Sequence, residues 1–206
     1  MSAIGDRFNR ITGKTRFVVC RLVVSLHGSE VAPLLGTLNR AAREAIAADG
    51  DLGVLGEQLE TIAAQLLELQ PYWRSACNEG DVFWSEGEAG DYVNELFADS
   101  AQRYQGDFDL ADAPETAGIG DPDAPLTLPV TENAIVSLTI AAEGEAPDLE
   151  TDLAELDALT DGLKALGKLH YQERLRAVQV HFAPAQFGDC LTDEQLLTNY
   201  PELIPL

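Results

Sequence analysis

Two amphipathic periodicities between residues 31 and 71 constrain the fold more than any other feature of the sequence. Large apolar residues recur at helical spacing over residues 31–46 and again over residues 55–69. Asp49-Gly50-Asp51 separates the two runs, and Pro71 ends the second because proline cannot continue a helix. The pattern predicts two consecutive helices that pack as a hairpin and turn their apolar faces to a core.

Three shorter segments have the composition of β-strands. Residues 17–26 and 134–141 are rich in apolar and β-branched residues, and residues 175–182 alternate partly between apolar and polar side chains. Residues 17–26 are interrupted by Arg21, which argues against both a membrane-spanning helix and a secretory signal peptide. These segments predict strands on either side of the helical region.

Three further helices are predicted. One spans about residues 88–104. Another, a continuous or a broken helix, spans residues 149–166, and Gly167 can end it. A short one begins at Thr192 with a capping box to Gln195. The predicted class is α+β: a helical N-terminal half with a leading strand, and a C-terminal βαβα unit that completes a small mixed sheet. If the two strands of that unit pair directly, they are expected to be parallel.

The composition divides the chain into four segments. They are a basic amphipathic arm at residues 1–16, a strand and helical region at 17–104, an acidic Pro/Gly-rich linker at 105–130, and the βαβα domain at 131–206.

Charge is distributed unevenly along the chain. With 13 Lys and Arg against 35 Asp and Glu, the formal charge of −22 disfavours nucleic-acid binding. The arm is basic and could lie on an anionic membrane, or pair with the acidic body. Residues 78–91 are predicted to form an acidic loop whose aromatic residues either anchor the core or contact a partner. The candidate contact residues are Arg7, Phe8, Arg10, Lys14, Arg16, Phe83 and Trp84.

No pattern that carries catalysis is present. The cysteines at 20, 77 and 190 lack the spacing of a disulfide framework or metal site, and His27, His170 and His181 are far apart in the sequence. Neither a nucleophile elbow nor a phosphate-binding loop is found. We therefore expect a protein that is not an enzyme and has no cofactor or metal. The alternative is an undetected hydrolase or small-molecule-binding enzyme with a site in the crease between the two halves.

The last 29 residues, VQVHFAPAQFGDCLTDEQLLTNYPELIPL, carry a family resemblance. They resemble the end of an uncharacterised family of cyanobacterial and chloroplast proteins that includes the plant fluctuating-light acclimation protein. Phe182-Ala183 stands where that family usually has Trp-Thr. The matching positions are Val178, Val180, Pro184, Asp189, Leu191, Thr192, Gln195, Leu196, Leu197, Tyr200, Pro201, Leu203 and Leu206.

The resemblance implies an accessory role in acclimation of photosynthesis, with no catalytic residues to transfer. The expected partner is a photosynthetic protein complex or an anionic thylakoid surface, and the expected location is the cytoplasm or the thylakoid periphery. The sequence leaves open a further possibility, a homodimer formed through strand edges or leucine faces. Tyr200 and Pro201 are interpreted as packing beneath the sheet and ending the last helix, or alternatively as part of an apolar hook for a partner.

Overall fold

A computed structural model describes residues 15–105, 133–185 and 190–206. The described residues form a single five-stranded sheet with helices on both faces, so strands from the N-terminal and C-terminal halves join one sheet. The elements in chain order are β1 (Phe17–His27), α1 (Ala32–Ala47), α2 (Leu52–Glu68), β2 (Trp73–Phe83), α3 (Glu86–Gln105), β3 (Asn133–Glu143), α4 (Leu156–Tyr171), β4 (Leu175–Ala183), α5 (Asp193–Asn199) and β5 (Ile204–Pro205).

Strand β1 lies at the centre of the sheet, whose order is β4-β3-β1-β2-β5. It is paired on both edges and covered on both faces, which explains why its sequence is almost continuously apolar. Side chains of even-numbered β1 residues, such as Leu22 and Val24, pack against α1, α2 and α4. Those of Phe17 and Val19 pack against α3, and Val23 packs with residues of α5. The α+β class with a leading strand is confirmed.

The turn between α1 and α2 is formed by the residues that the sequence marks as helix breakers. Asp49 and Gly50 both adopt positive φ angles, of 52° and 77°. Asp51 then caps α2, because its side chain accepts a hydrogen bond from the Val54 amide at 3.1 Å. The two helices pack on one another, but α2 packs more extensively on α4.

The prediction that β3 and β4 pair in parallel is wrong, because they pair antiparallel, as do all neighbouring strands in the sheet. The segment that connects β3 to β4 crosses to the far end of the sheet and then returns to the end of β3. Leu153 reaches the Asn78 side chain on β2, and Thr160 in α4 lies against Gln70 at the far end of the sheet. Helix α4 then returns the chain to the Arg174 carbonyl, beside the Glu143 amide. A connection that returns to its starting end places the next strand antiparallel.

The prediction of a loop over residues 78–91 is also wrong. Residues up to Phe83 continue β2, and they pair with β1 as far as Phe17. Their polar composition suits this position, because β5 pairs only with Ser75 and Ala76 and leaves the rest of β2 at the edge of the sheet. Glu86 begins α3.

Gly167 does not end the helix that contains it. Helix α4 continues to Tyr171, and Glu173 follows it with a positive φ of 54°. The arm up to Lys14 and nearly all of the predicted linker lie outside the described residues. Among the described helices, none combines the length and apolar character that a membrane span requires.

Candidate functional site

Arg21 is the one charged residue within the apolar run of β1, and its side chain is almost fully buried beneath α3. The β1–β2 register places Glu79 opposite, and the Arg21 Nε donates to Glu79 Oε1 at 2.8 Å. Its Nη1 donates to Ser100 Oγ at 2.9 Å and to the Leu96 carbonyl at 3.1 Å, and lies 2.6 Å from Asp99 Oδ2. Because α3 presents residues three and four apart on one face, a single helix supplies three of these contacts.

A second guanidinium extends this charged network to the C-terminal segment. Arg103 Nη2 lies 3.0 Å from Asp99 Oδ2, and Arg103 also pairs with Glu202. Its guanidinium carbon lies 5.5 Å from the ring centroid of Tyr200. Burial opposes ionisation of Asp99, but hydrogen bonds from Arg21 and the charges of both arginines hold its pKa below the usual value.

A cavity of about 530 Å³ opens beside this network, between α3, β2, the segment before α4 and the C-terminal residues. Five carboxylates and two guanidinium groups line it, which leaves three negative charges in excess. Val23, Leu96 and Ile204 add an apolar wall. The charged lining residues are Arg21, Glu79, Glu95, Asp99, Arg103, Asp152 and Glu202.

Burial, and after it the nearby carboxylates, raises the pKa values of two further groups in the cavity wall. Burial, followed by the charges of Glu202 and Glu79, raises the pKa of the Cys77 thiol to about 12. Burial and nearby carboxylates, Glu79 first among them, also raise the pKa of Tyr92. Cys77 is therefore protonated at neutral pH and does not supply a thiolate nucleophile.

Buried polar side chains continue across the sheet beneath α3. The Ser137 and Thr139 hydroxyl oxygens and Gln179 Oε1 have no hydrogen-bond partner among the described residues. Ser137 lines a narrow gap whose walls include Arg21, Val23 and Arg103, and the same three residues line the larger cavity. A buried hydroxyl with unused hydrogen-bonding capacity thus lies next to the cavity, in a gap that has no room for a water molecule.

Three of the predicted contact residues, Arg16, Phe83 and Trp84, lie within the described part of the chain, at the end of the sheet where β1 begins and β2 ends. Phe83 packs on Tyr92, with ring centroids 5.3 Å apart, whereas Trp84 is about half exposed. Arg16 pairs with Glu150 of the protein's own body, with Nη1 2.9 Å from Oε1, and this bond lowers the pKa of Glu150. In the structure, therefore, Phe83 makes a packing contact and Arg16 forms an ion pair within the protein. Arg7, Phe8, Arg10 and Lys14 lie outside the described residues.

The C-terminal residues of the family resemblance make structural contacts. Thr192 and Gln195 form the predicted capping box, and Tyr200 is buried with Leu196 beneath the sheet. Leu191 and Leu203 pack on the same cluster, Pro184 is buried, and Pro201 directly follows the residue that caps α5. Leu197 is exposed, and Asp189 lies outside the described residues.

The three histidines lie on different parts of the fold. His27 Nδ1 is 2.8 Å from Asn133 Oδ1 at one end of the sheet, and His170 lies against Gly56 on the face formed by α2 and α4. His181 contacts Phe97 on the opposite face, with ring centroids 5.1 Å apart. Within the described ranges, no three His, Cys, Asp or Glu side chains are grouped so that they could hold a metal ion.

Sequence reasoning missed the cavity, although it noted Arg21 as an interruption of an apolar run. A lone arginine within a central strand is a signal in itself, because a buried guanidinium requires acceptors from neighbouring elements. Which elements supply them could not be read from the sequence, since Glu79, Asp99 and Glu202 are widely separated along the chain.

Comparison with known proteins places the chain in a family. A family model described as a protein of unknown function, DUF1517, matches residues 16–206. Searches of curated proteins and of solved structures each find no match. The matched segment contains the whole sheet, the helices on both of its faces and every residue that lines the cavity. The chain therefore belongs to the DUF1517 family of proteins of unknown function.

Proposed function

We propose that this protein is a non-enzymatic accessory or regulatory protein that acts by binding a partner, and that the charged cavity is its contact site. The observation that carries the proposal is the cavity itself, which is open to solvent and lined by both charged and apolar groups. Its volume of about 530 Å³ lies within the range typical of small-molecule and cofactor pockets.

The proposed partner is a photosynthetic protein complex or an anionic thylakoid surface in a cyanobacterium or chloroplast. This part of the proposal is supported by the resemblance of residues 178–206 to the family that includes the fluctuating-light acclimation protein. The protein would then reside in the cytoplasm or at the thylakoid periphery.

The test is affinity purification from gently solubilised thylakoids with the full chain as bait. Ile204→Trp narrows the cavity, because Ile204 lines it and is half exposed, whereas Leu197→Trp places the same bulk on an exposed position outside it. We expect a protein that is retained by the wild type and by Leu197→Trp but lost with Ile204→Trp. Equal retention by all three baits rejects the cavity, and no specific retention by the wild type rejects the proposal.

A second contact is proposed for the basic arm, whose cations would add about 1 kcal/mol each near anionic headgroups. Replacing Arg7, Arg10 and Lys14 by Glu is expected to abolish sedimentation with anionic liposomes, and raising the salt concentration is expected to do the same. Equal sedimentation of the variant and the wild type would reject the arm as a membrane contact.

The alternative function is a hydrolase or small-molecule-binding enzyme. The volume of the cavity favours it, since small substrates occupy sites of this size. Turnover of a metabolite by the pure protein, lost when the cavity residues Glu95 and Asp152 are replaced by Gln and Asn, would replace the binding proposal.

A further inference from the structure

The cavity combines a carboxylate-rich lining with an apolar wall, and this combination selects a particular kind of ligand. Three of its five carboxylates, on Glu79, Asp99 and Glu202, are paired with Arg21 or Arg103. Glu95 and Asp152 have no cationic partner within the described part of the chain. The cavity thus has negative charge that its own arginines do not neutralise.

A cationic group on an aliphatic stem matches both parts of this wall. The methylene stems of lysine and arginine pack on apolar surface while their charged ends stay with polar partners. Val23, Leu96 and Ile204 supply the apolar surface, and Glu95 and Asp152 supply carboxylates with no arginine partner, although Asp152 Oδ1 accepts a hydrogen bond from the Ala154 amide at 2.9 Å. We infer that the cavity binds a lysine or arginine side chain presented by a partner, and this inference rests on the proposed function.

Arg103 already demonstrates how the site holds a guanidinium. It lies between Asp99 and Glu202 and above the face of Tyr200, an arrangement that combines charge-assisted hydrogen bonds with a cation–π contact. Ser137 is 2% exposed and lines an adjoining gap that has no room for a water molecule, so its hydroxyl does not contact a ligand in the cavity.

Other ligand classes fit less well. A metal ion needs several ligating side chains within reach of one point, and the described residues contain no such group of His, Cys, Asp or Glu. An anion would meet three excess negative charges. A free polyamine shares the cationic chemistry of lysine, so the experiment must separate a small amine from a protein segment.

The test is a titration of the isotopically labelled full chain, followed by ¹H–¹⁵N NMR at about 0.15 M salt, where weak surface attraction is screened. The probes are a capped tetrapeptide containing one arginine, the same peptide with neutral citrulline in its place, and spermidine. We expect saturable shifts around Cys77, Glu95 and Ile204 with the arginine peptide, and none with the citrulline peptide.

Two double variants with the same change in net charge provide the matched comparison. Glu95→Gln with Asp152→Asn removes the charge of the two cavity carboxylates that have no arginine partner, whereas Glu57→Gln with Asp148→Asn removes the charge of exposed carboxylates that do not line the cavity. We expect the cavity variant to bind the arginine peptide about fivefold to tenfold more weakly, and the control to stay within about twofold of wild type.

Several results would overturn the inference. They are equal binding of the citrulline peptide, equal losses in the two double variants, or no saturable shift with either cation. Binding of the peptide but not of spermidine supports the inference, because it identifies a protein segment as the source of the cation. Binding of spermidine but not of the peptide would also overturn the inference, because the cavity would then be a site for a free amine. If a thylakoid protein is retained through the cavity but neither probe binds, the ligand class is wrong and the proposed function stands.

Discussion

Replacing Arg21 by methionine should destabilise the fold more than any change to a surface ion pair. The guanidinium is almost fully buried, and it holds Glu79, Asp99, Ser100 and the Leu96 carbonyl to the centre of β1. Methionine keeps most of the aliphatic volume, so the experiment measures mainly the charge and hydrogen bonds. It also tests whether the charged network that borders the cavity contributes to the stability of the fold.

The expected loss follows from the exposure of the groups that remain. Removing one partner of a buried ion pair costs about 3–5 kcal/mol, because the other charge is left without compensation. Here the Glu79 and Asp99 side chains are 48% and 45% exposed, so water can solvate them after the change. We therefore expect about 3 kcal/mol, the lower end of that range.

Urea unfolding followed by circular dichroism at pH 7 provides the measurement. With an m-value of about 2–3 kcal/mol/M, a loss of about 3 kcal/mol lowers the midpoint by about 1 M. The control is Arg74→Met, whose pair with Asp193 is exposed at 49% and 61% and should contribute less than about 1 kcal/mol. A midpoint for Arg21→Met equal to that of wild type would refute the reasoning.

The same variant should change the response to acid. The pKa of Asp99 is lowered in the folded state, so its stabilising contribution is present above its unfolded pKa of about 4 and is lost as pH falls through the folded value. Arg21→Met removes one cause of that shift. The stability difference between wild type and variant should therefore shrink below about pH 4, and a constant difference down to pH 2 would contradict this assignment.

Three further predictions concern packing, thiols and capping. Gly56→Ala should destabilise the fold by about 1–3 kcal/mol, because a Cβ at this position collides with His170. Gly36→Ala meets open space on α1 and should stabilise the fold by up to about 1 kcal/mol. Thermal unfolding of both variants measures the two effects, and effects of the same sign would contradict the prediction. One thiol should react with Ellman's reagent at pH 8 in the folded protein, and three should react after denaturation. Cys190 is exposed, whereas burial raises the pKa values of Cys20 and Cys77 to about 12. Rapid reaction of a second thiol in the folded protein would contradict the prediction. Thr192→Ala should cost about 1 kcal/mol in urea unfolding through loss of the capping box, and a value near zero would show that α5 does not need its cap.

Local patterns in the sequence predicted much of the fold. The repeats of large apolar residues located α1 and α2, and the β-branched runs located β1 and β3, because one buried face imposes a regular spacing on each element. Capping chemistry located the start of α5 at Thr192. Each of these features depends on residues close together in the chain.

The wrong predictions concern features of the fold that depend on tertiary contacts. The polar half of β2 resembles a loop by composition, yet it is a strand because β1 supplies a full set of hydrogen-bonding partners. The direction of β4 depends on the path of the segment before α4, which is held by Asn78 on a distant strand. The cavity could not be predicted for the same reason, since only the tertiary fold brings Asp152 and Glu202 to α3.

The central claim is that a partner protein occupies the cavity, and site-specific photocrosslinking tests it most directly. Benzoylphenylalanine in place of Tyr92, an aromatic residue that lines the cavity, puts the photoreactive group in the cavity wall without removing a carboxylate, and in place of Glu57 it puts the group on the opposite face of the sheet. Irradiation in solubilised thylakoids should give a discrete adduct from position 92 and none from position 57. An adduct from position 57 alone, or none from position 92, would contradict the claim.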